Sequence, residues 1–286
     1  MRDPASTAES AADGRVDPTD SAAGGSVQAT SGGAHPSKWV EGRVVGQQHW
    51  TDRLHSLRVA APEVKFVAGQ FGRLALPAPP GSKEEMIGRP YSFVNAPTDA
   101  PHEFYFVTVP EGPLSVRLAA LHPGDPVWML RSANGFFSVA EVPQAQSLWC
   151  LSTGTGLGPF LSILRTTEAW AKFERIVLVH GVRYANELSY ADVIAGIAGA
   201  HPDRFSYVQL VSRDAHPTAL AGRIPDAIES GQLESRVGWA LSAENSHAML
   251  CGNPAMVDDT QATLLQRGMR RHRRKEPGHV TVETYW

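Results

Sequence analysis

From about residue 143 to its end, this chain alternates short apolar runs with helical patterns, and that order leaves few folds open. Residues 148–152, 176–180 and 207–211 read as strands, as do 248–251 and the closing 280–285. Helices are expected from about Pro159, from about Tyr190, over 225–229 and from Pro254. Strands that alternate with helices run parallel, because each crossover returns the chain in the same direction. The helices then cover both faces of the sheet. The expectation for 143–286 is therefore an α/β parallel-sheet domain.

The first half is punctuated differently. Residues 39–45, 54–59, 71–76, 89–95, 104–109 and 127–130 are short strand-like runs separated by Pro, Gly, Asp or Asn. Spacing of this kind predicts an antiparallel β-barrel domain over 37–142. One helix interrupts it. Leu114, Leu118 and Leu121 recur at i, i+4 and i+7 on one face, and Pro123-Gly124-Asp125 ends the run. Residues 1–36 stand apart. They are rich in Ala, Ser, Gly and Thr and hold no aromatic residue, so a disordered tail is expected. They lack the basic start and apolar block of a secretory signal. Asp3, Glu9, Asp13, Asp17 and Asp20 outnumber Arg2 and Arg15, unlike a transit peptide. A cytoplasmic protein is expected.

Four stretches carry chemistry. In Arg89-Pro90-Tyr91-Ser92, Tyr91 offers a flat ring, Arg89 a planar fork suited to phosphate, and Ser92 a hydroxyl that donates and accepts. As a strand, Tyr91, Phe93 and Asn95 point one way, Ser92 and Val94 the other. An ordinary half-buried sheet face reads the same way. In Gly154-Thr155-Gly156-Leu157-Gly158-Pro159, strand passes to helix. Glycines there let backbone approach a pyrophosphate, and the helix start supplies N–H groups and partial positive charge. The spacing departs from G-x-G-x-x-G. Ser212-Arg213 follows the third strand of this half, and Arg223 comes soon after. An Arg in such places accommodates the 2′-phosphate of NADP, although two solvated loop arginines read the same, and Asp214 stands beside Arg213. Cys251-Gly252-Asn253-Pro254 is a second strand-to-helix turn. Cys251 there is either at a ligand or a small buried thiol.

Composition narrows the chemistry further. The 286 residues carry a net charge of −3, which gives no whole-chain case for nucleic acid. Two cysteines imply no disulfide framework and cannot build a four-cysteine iron–sulfur site. No metal site is expected, and no apolar run is long enough to span a bilayer. The basic run from Arg270 to Lys275 reads either as a solvated helix end or as a docking patch for an acidic partner. The closing Val282-Glu283-Thr284-Tyr285-Trp286 ends in two large aromatics, so a docked last strand is expected. Tyr285 there could cover a flat ring and Glu283 could accept or relay a proton.

Over about 38–286 the chain resembles the bacterial type of ferredoxin–NADP reductase (flavodoxin–NADP reductase). The resemblance rests on Arg89-Pro90-Tyr91-Ser92, Gly112-Pro113-Leu114-Ser115, Gly135-Phe136-Phe137, the Gly154–Pro159 turn, Cys251-Gly252-Asn253-Pro254 and the terminal Glu283-Thr284-Tyr285-Trp286. It implies an FAD-binding barrel followed by an NADP-binding α/β domain. Arg89, Pro90, Tyr91 and Ser92 would hold FAD, with Tyr91 on one face of its ring and Ser92 near N5. Tyr105, Val107, Thr108, Pro113, Leu114 and Ser115 would contact ribityl and pyrophosphate. Thr155 would lie near both cofactors. Arg183, Ser212, Arg213 and Arg223 would bind NADP(H), the last two arginines at the 2′-phosphate. Tyr285 would cover the other flavin face and Trp286 pack near the FAD adenine. Cys251 and Glu283 would flank the hydride path, so Ser92, Cys251, Glu283 and Tyr285 form the implied catalytic set. Pro90 departs from many relatives and removes one donor.

The implied activity moves electrons between NADPH, as hydride, and a one-electron carrier, ferredoxin or flavodoxin, in a monomer without membrane or nucleic-acid partners. The acidic carrier would dock near Arg270–Lys275. An NAD(P)H-dependent flavin or ferric reductase, or a flavin redox sensor without turnover, are the alternatives.

Overall fold

The computed structural model describes residues 38–284. The expected disordered tail at 1–36, and Tyr285 and Trp286, lie outside the described residues. The first six strands are β1 (Trp39–His49), β2 (Leu54–Ala60), β3 (Phe71–Pro77), β4 (Met86–Ser92), β5 (His102–Val107) and β6 (Pro126–Leu130), with α1 (Ser115–Ala119) between the last two. They form one sheet in the order β4-β3-β6-β1-β2-β5, with every named pair antiparallel. β1 shows why: Val40, Gly42 and Val44 are buried while Glu41, Arg43 and Val45 are exposed, a period of two.

The two ends of this sheet meet. Phe93, just past β4, bridges Phe104 of β5, and Val94 N–H donates to Glu103 O at 2.9 Å. That contact curls the sheet into the expected barrel, joining its two end strands just past Ser92. The interior is aromatic and aliphatic. Phe66 stacks on Phe93 at 3.8 Å between centroids, and Leu57, Leu74, Met129, Leu114 and Leu118 are buried around them.

β4 corrects one expectation. The strand runs over Met86–Ser92 rather than 89–95, and Ser92, Phe93, Val94 and Asn95 are all buried. The alternation failed because the chain leaves β3 after Ser92 to close the barrel, so both sides are covered. Pro90 is tolerated because β4 pairs with β3 alone in the sheet order, leaving one side of the strand free of ladder bonds.

The second half continues β7 (Ser147–Thr153), α2 (Leu157–Leu164), α3 (Thr167–Lys172), β8 (Arg175–Val182), α4 (Ala191–Ala200), β9 (Phe205–Val211), β10 (Leu220–Ala221), α5 (Ile224–Glu229), α6 (Gln232–Val237), β11 (Ser246–Gly252), α7 (Pro254–Gln266) and β12 (Val280–Thr284). The sheet order is β10-β9-β8-β7-β11-β12, all parallel. Central strand β7 is apolar on both sides, and its residues sort by parity. Leu148 and Cys150 pack with Ile176, Leu178, Met249 and the helices α2, α3 and α4. Trp149 and Leu151 pack with Val177, Val179, Leu250 and α5, α6 and α7. Sequence reading missed α3, α6 and β10, which at six, six and two residues show too little periodicity. α2 also starts two residues before Pro159, after a 3₁₀ turn over Gly154–Gly156.

The two sheets belong to one compact unit. Leu54, Val94 and Tyr105 of the barrel share a core with α2 and α4. Polar contacts add to it: Tyr105 Oη lies 2.6 Å from Ser189 Oγ, Ser56 Oγ 2.6 Å from Tyr190 Oη, and Tyr190 Oη donates to Glu103 at 3.0 Å. No helix among the described residues is long and apolar enough to cross a membrane.

Candidate active site

The order of the parallel sheet fixes where a ligand can enter. Successive strands β7, β8 and β9 extend one way, and β11 and β12 the other. The reversal lies between β7 and β11, and the crevice beyond their carboxyl ends is where open α/β sheets bind ligands. Both glycine turns sit there. A methyl on Gly156 would meet Cys251 O at 2.3 Å, and one on Gly252 (φ +139°) would meet Thr153 Oγ1 at 2.3 Å. Only glycine lets these backbones touch. Thr153 Oγ1 accepts from Asn253 N–H at 3.1 Å, and Asn253 caps α7 by accepting from Ala255 N–H at 3.0 Å. Thr155 is half-buried on the turn.

β12 pairs beside β11, which sets Glu283 opposite Cys251. Cys251 is fully buried and neither cysteine forms a disulfide. Glu283 Oε2 is buried with no hydrogen-bond partner among the described residues. Burial pushes its carboxyl from 4.5 to about 7. The folded chain therefore holds a proton that the unfolded chain has released, and stability falls as pH rises through that window. Below it both states are protonated and the difference vanishes. Glu283→Gln removes the titration. It is expected to stabilise the protein by about 3 kcal/mol at about pH 8 and by little at about pH 4. Thermal unfolding at the two pH values checks this, and a gain independent of pH would contradict it.

On the barrel, Arg89 and Pro90 are exposed, Tyr91 is half-buried and Ser92 is buried. The Tyr91 ring meets the edge of Phe106 at 5.7 Å, and burial pushes its hydroxyl up to about 12 against the pull of Arg89. Ser115 Oγ accepts from Val109 N–H at 2.9 Å, which shapes the loop holding exposed Pro113. Two expected contacts change character. The Tyr105 side chain is spent on Ser189, and Leu114 is buried in the barrel core, so their backbone alone is left for a ligand. Val107 and Thr108 are half-buried at the strand end.

The arginines divide. Arg183 and Arg213 line one cavity of about 470 Å³ with Tyr184, Asn186, Glu187, Thr51, Asp52 and Arg53. Arg213 N–H donates to Arg183 O at 2.8 Å, and its guanidinium lies 6.0 Å from the centre of the exposed Tyr184 ring. Asp214 does not neutralise Arg213; its carboxylate accepts from Ala185 N–H at 3.1 Å. Ser212 Oγ donates to Val182 O at 3.3 Å. Arg223 is outside the cavity lining and pairs with Asp259 at 2.7 Å. Tyr184, Thr51, Asp52 and Arg53 were missed by sequence reading. The last three lie on the β1–β2 turn of the barrel, about 130 residues from Arg183 in the chain, and no local pattern marks them.

The basic run is partly committed. Arg274 grips Glu141 through two bonds of 2.8 and 2.7 Å and lies 4.2 Å over exposed Phe136, and Arg273 pairs with Glu276 at 3.7 Å. Among the described residues, Arg270, Arg271 and Lys275 form no ion pair.

The donor set suits a dinucleotide and a flavin: a glycine-tightened switch point, guanidiniums in a cavity, a ring-bearing edge strand and an orphaned buried carboxyl oxygen. Known proteins agree. An oxidoreductase NAD-binding domain model matches residues 150–262. A flavodoxin/ferredoxin–NADP reductase of Escherichia coli is 48% identical over 249 residues, 87% of this chain and 99% of the relative. The ferredoxin–NADP reductase of Pseudomonas aeruginosa is 34% identical, covering 84% of this chain and 95% of its own. A solved ferredoxin NADP+ reductase from Neisseria gonorrhoeae, with bound FAD and NADP, superposes with a TM-score of 0.81 at 32% identity, over 87% of this chain and 100% of that one. At 48% identity over nearly the whole of a curated relative, and with the fold superposing along its full length on a solved one, the protein belongs to the flavodoxin/ferredoxin–NADP reductase family.

Proposed function

We propose that this chain is an FAD-dependent oxidoreductase that passes electrons between NADPH and a one-electron carrier, ferredoxin or flavodoxin. The observation that carries the reading is the arginine cavity placed beside the carboxyl edge of the parallel sheet. FAD, when bound, accepts hydride and releases electrons singly. The residues do the rest. Arg89, Pro90, Tyr91 and Ser92 hold the flavin, Tyr91 against its ring, while Val107, Thr108, Pro113 and Ser115 with the backbone of Tyr105 and Leu114 take its chain. Arg183, Arg213 and Ser212 hold the phosphates of NADPH, and Arg223 stands at their margin. The touching turns at Thr155 and Cys251 set where the nicotinamide can lie. Glu283, opposite Cys251 with its carboxyl raised by burial, can hold or release a proton beside the hydride path. Tyr285 and Trp286 are assigned to the flavin's other face and its adenine.

Residues 37–142 are taken as the FAD-binding domain and 143–286 as the NADP-binding domain. The reading takes the protein as a cytoplasmic monomer, in keeping with two cysteines outside any disulfide. Carrier docking falls to Arg270, Arg271 and Lys275, the residues of the basic run that form no ion pair among the described residues. Under anaerobic conditions NADPH is expected to bleach the flavin at far lower concentration than NADH, and carrier reduction to slow as salt rises. Equal use of both nucleotides would replace this reading with a general flavin reductase. Carrier reduction indifferent to salt would remove the docking assignment.

A further inference from the structure

The cavity that holds Arg183 and Arg213 is completed from the barrel, and the group that completes it is a third guanidinium. Arg53 sits on the turn between β1 and β2. Thr51 Oγ1 braces that turn by accepting from Arg53 N–H at 3.2 Å and Leu54 N–H at 3.1 Å. Arg53 O accepts from Thr108 N–H at 2.8 Å, and Arg53 Nη2 donates to Thr108 O at 3.3 Å. The side chain is thus held at both ends. The cavity lining thus holds three arginines and two carboxylates, Asp52 and Glu187. Glu187 is already used: Oε1 pairs with Arg183 at 3.1 Å, and Oε2 accepts from Arg183 N–H at 2.9 Å. Among the described residues, Arg53 and Arg213 make no ion pair. Two guanidiniums without a carboxylate partner among the described residues, one from the barrel and one from the parallel sheet, lie in one lining with the exposed Tyr184 ring and suit an adenosine that carries a dianionic phosphate.

We infer that Arg53 is a specificity-determining residue for the dinucleotide, contacting the 2′-phosphate of NADPH from the barrel side. This rests on the proposed function and deepens it. A phosphate seated there links barrel to parallel sheet, so NADPH draws the two walls together where NADH does not. The contact also adds discrimination beyond what the sheet's own arginines supply.

The test uses FAD-loaded protein, wild type and Arg53→Ala, with Arg53→Lys as the charge-conserving control. Binding of 2′-phospho-AMP and of 5′-AMP is measured by calorimetry, and flavin content is read from absorbance. In Arg53→Ala, 2′-phospho-AMP is expected to bind about tenfold more weakly while 5′-AMP is unchanged. Arg53→Lys should recover part of the loss, and both variants should keep their FAD. Equal weakening of both nucleotides would overturn the assignment, placing Arg53 at a group they share. Unchanged binding of both would overturn it outright. Loss of FAD with nucleotide binding intact would also overturn it and give the guanidinium to the flavin's phosphates through Thr108. A wild-type protein that fails to distinguish the two nucleotides would sink the proposed function itself, before any variant is compared.

Discussion

Replacing Arg183 and Arg213 together by alanine is expected to weaken NADPH at least a hundredfold and to weaken NADH far less. Removing one partner of a buried charge pair costs about 2–5 kcal/mol, and the lower end suits these more exposed residues. Each ~1.4 kcal/mol is tenfold in affinity, so two such contacts sum to roughly 10² to 10³. The geometry makes the choice of residues specific. Both arginines line the cavity, whereas Arg223 lies outside its lining and spends its guanidinium on Asp259 at 2.7 Å. Arg223→Ala alone should therefore cost less than about tenfold. Anaerobic flavin bleaching across a range of NADPH and NADH concentrations reads all three variants. A dominant effect at Arg223 would show that the sequence pairing of Arg213 with Arg223 was the better guide and the cavity the worse one.

The second large effect belongs to Gly156→Ala. The backbone at Gly156 has φ −60° and ψ −8°, which alanine adopts freely, so no conformational penalty is expected. The cost is steric. The new methyl would lie 2.3 Å from Cys251 O and 2.6 Å from its carbonyl carbon, in the buried end of β11. Those atoms are backbone in a central strand and cannot rotate aside. Overpacking of well-filled sites costs about 1–3 kcal/mol, and here β11 itself must shift. The expected result is a protein with a lowered Tm and weakened NADPH binding, because the two turns that define the crevice are forced apart. Gly158→Ala provides the matched comparison. Its methyl would meet only the tip of Val94 at 3.4 Å, inside α2 where alanine is preferred by about 1 kcal/mol. That variant should be neutral or slightly stabilised. If both variants behaved alike, close approach at the switch point would not be what requires the glycine.

Much of the fold could be read along the chain. The parallel sheet was legible because β7 is apolar on both faces and glycine turns follow β7 and β11. The barrel was legible from short strands and frequent turn residues. Register was less so. The strand carrying Arg89 was placed three residues late, because burial on both sides of 92–95 comes from barrel closure against β5. The short helices α3 and α6 escaped for want of periodicity.

The site divides along the same line. Gly154, Gly156, Pro159, Gly252 and Asn253 could be recognised because turns and helix starts depend on the backbone of a few neighbouring residues. That Arg183 and Arg213 share a cavity while Arg223 stands outside it depends on how separate loops are carried by strands. So do the pairing of Cys251 with Glu283 and the arrival of Arg53 from the barrel. By itself, then, the sequence determined the order of the longer elements, the family and the turns that admit a dinucleotide, since those are local in backbone chemistry. The tertiary structure alone decided which charges meet, because strand register and the packing of barrel against sheet bring together residues far apart in the chain.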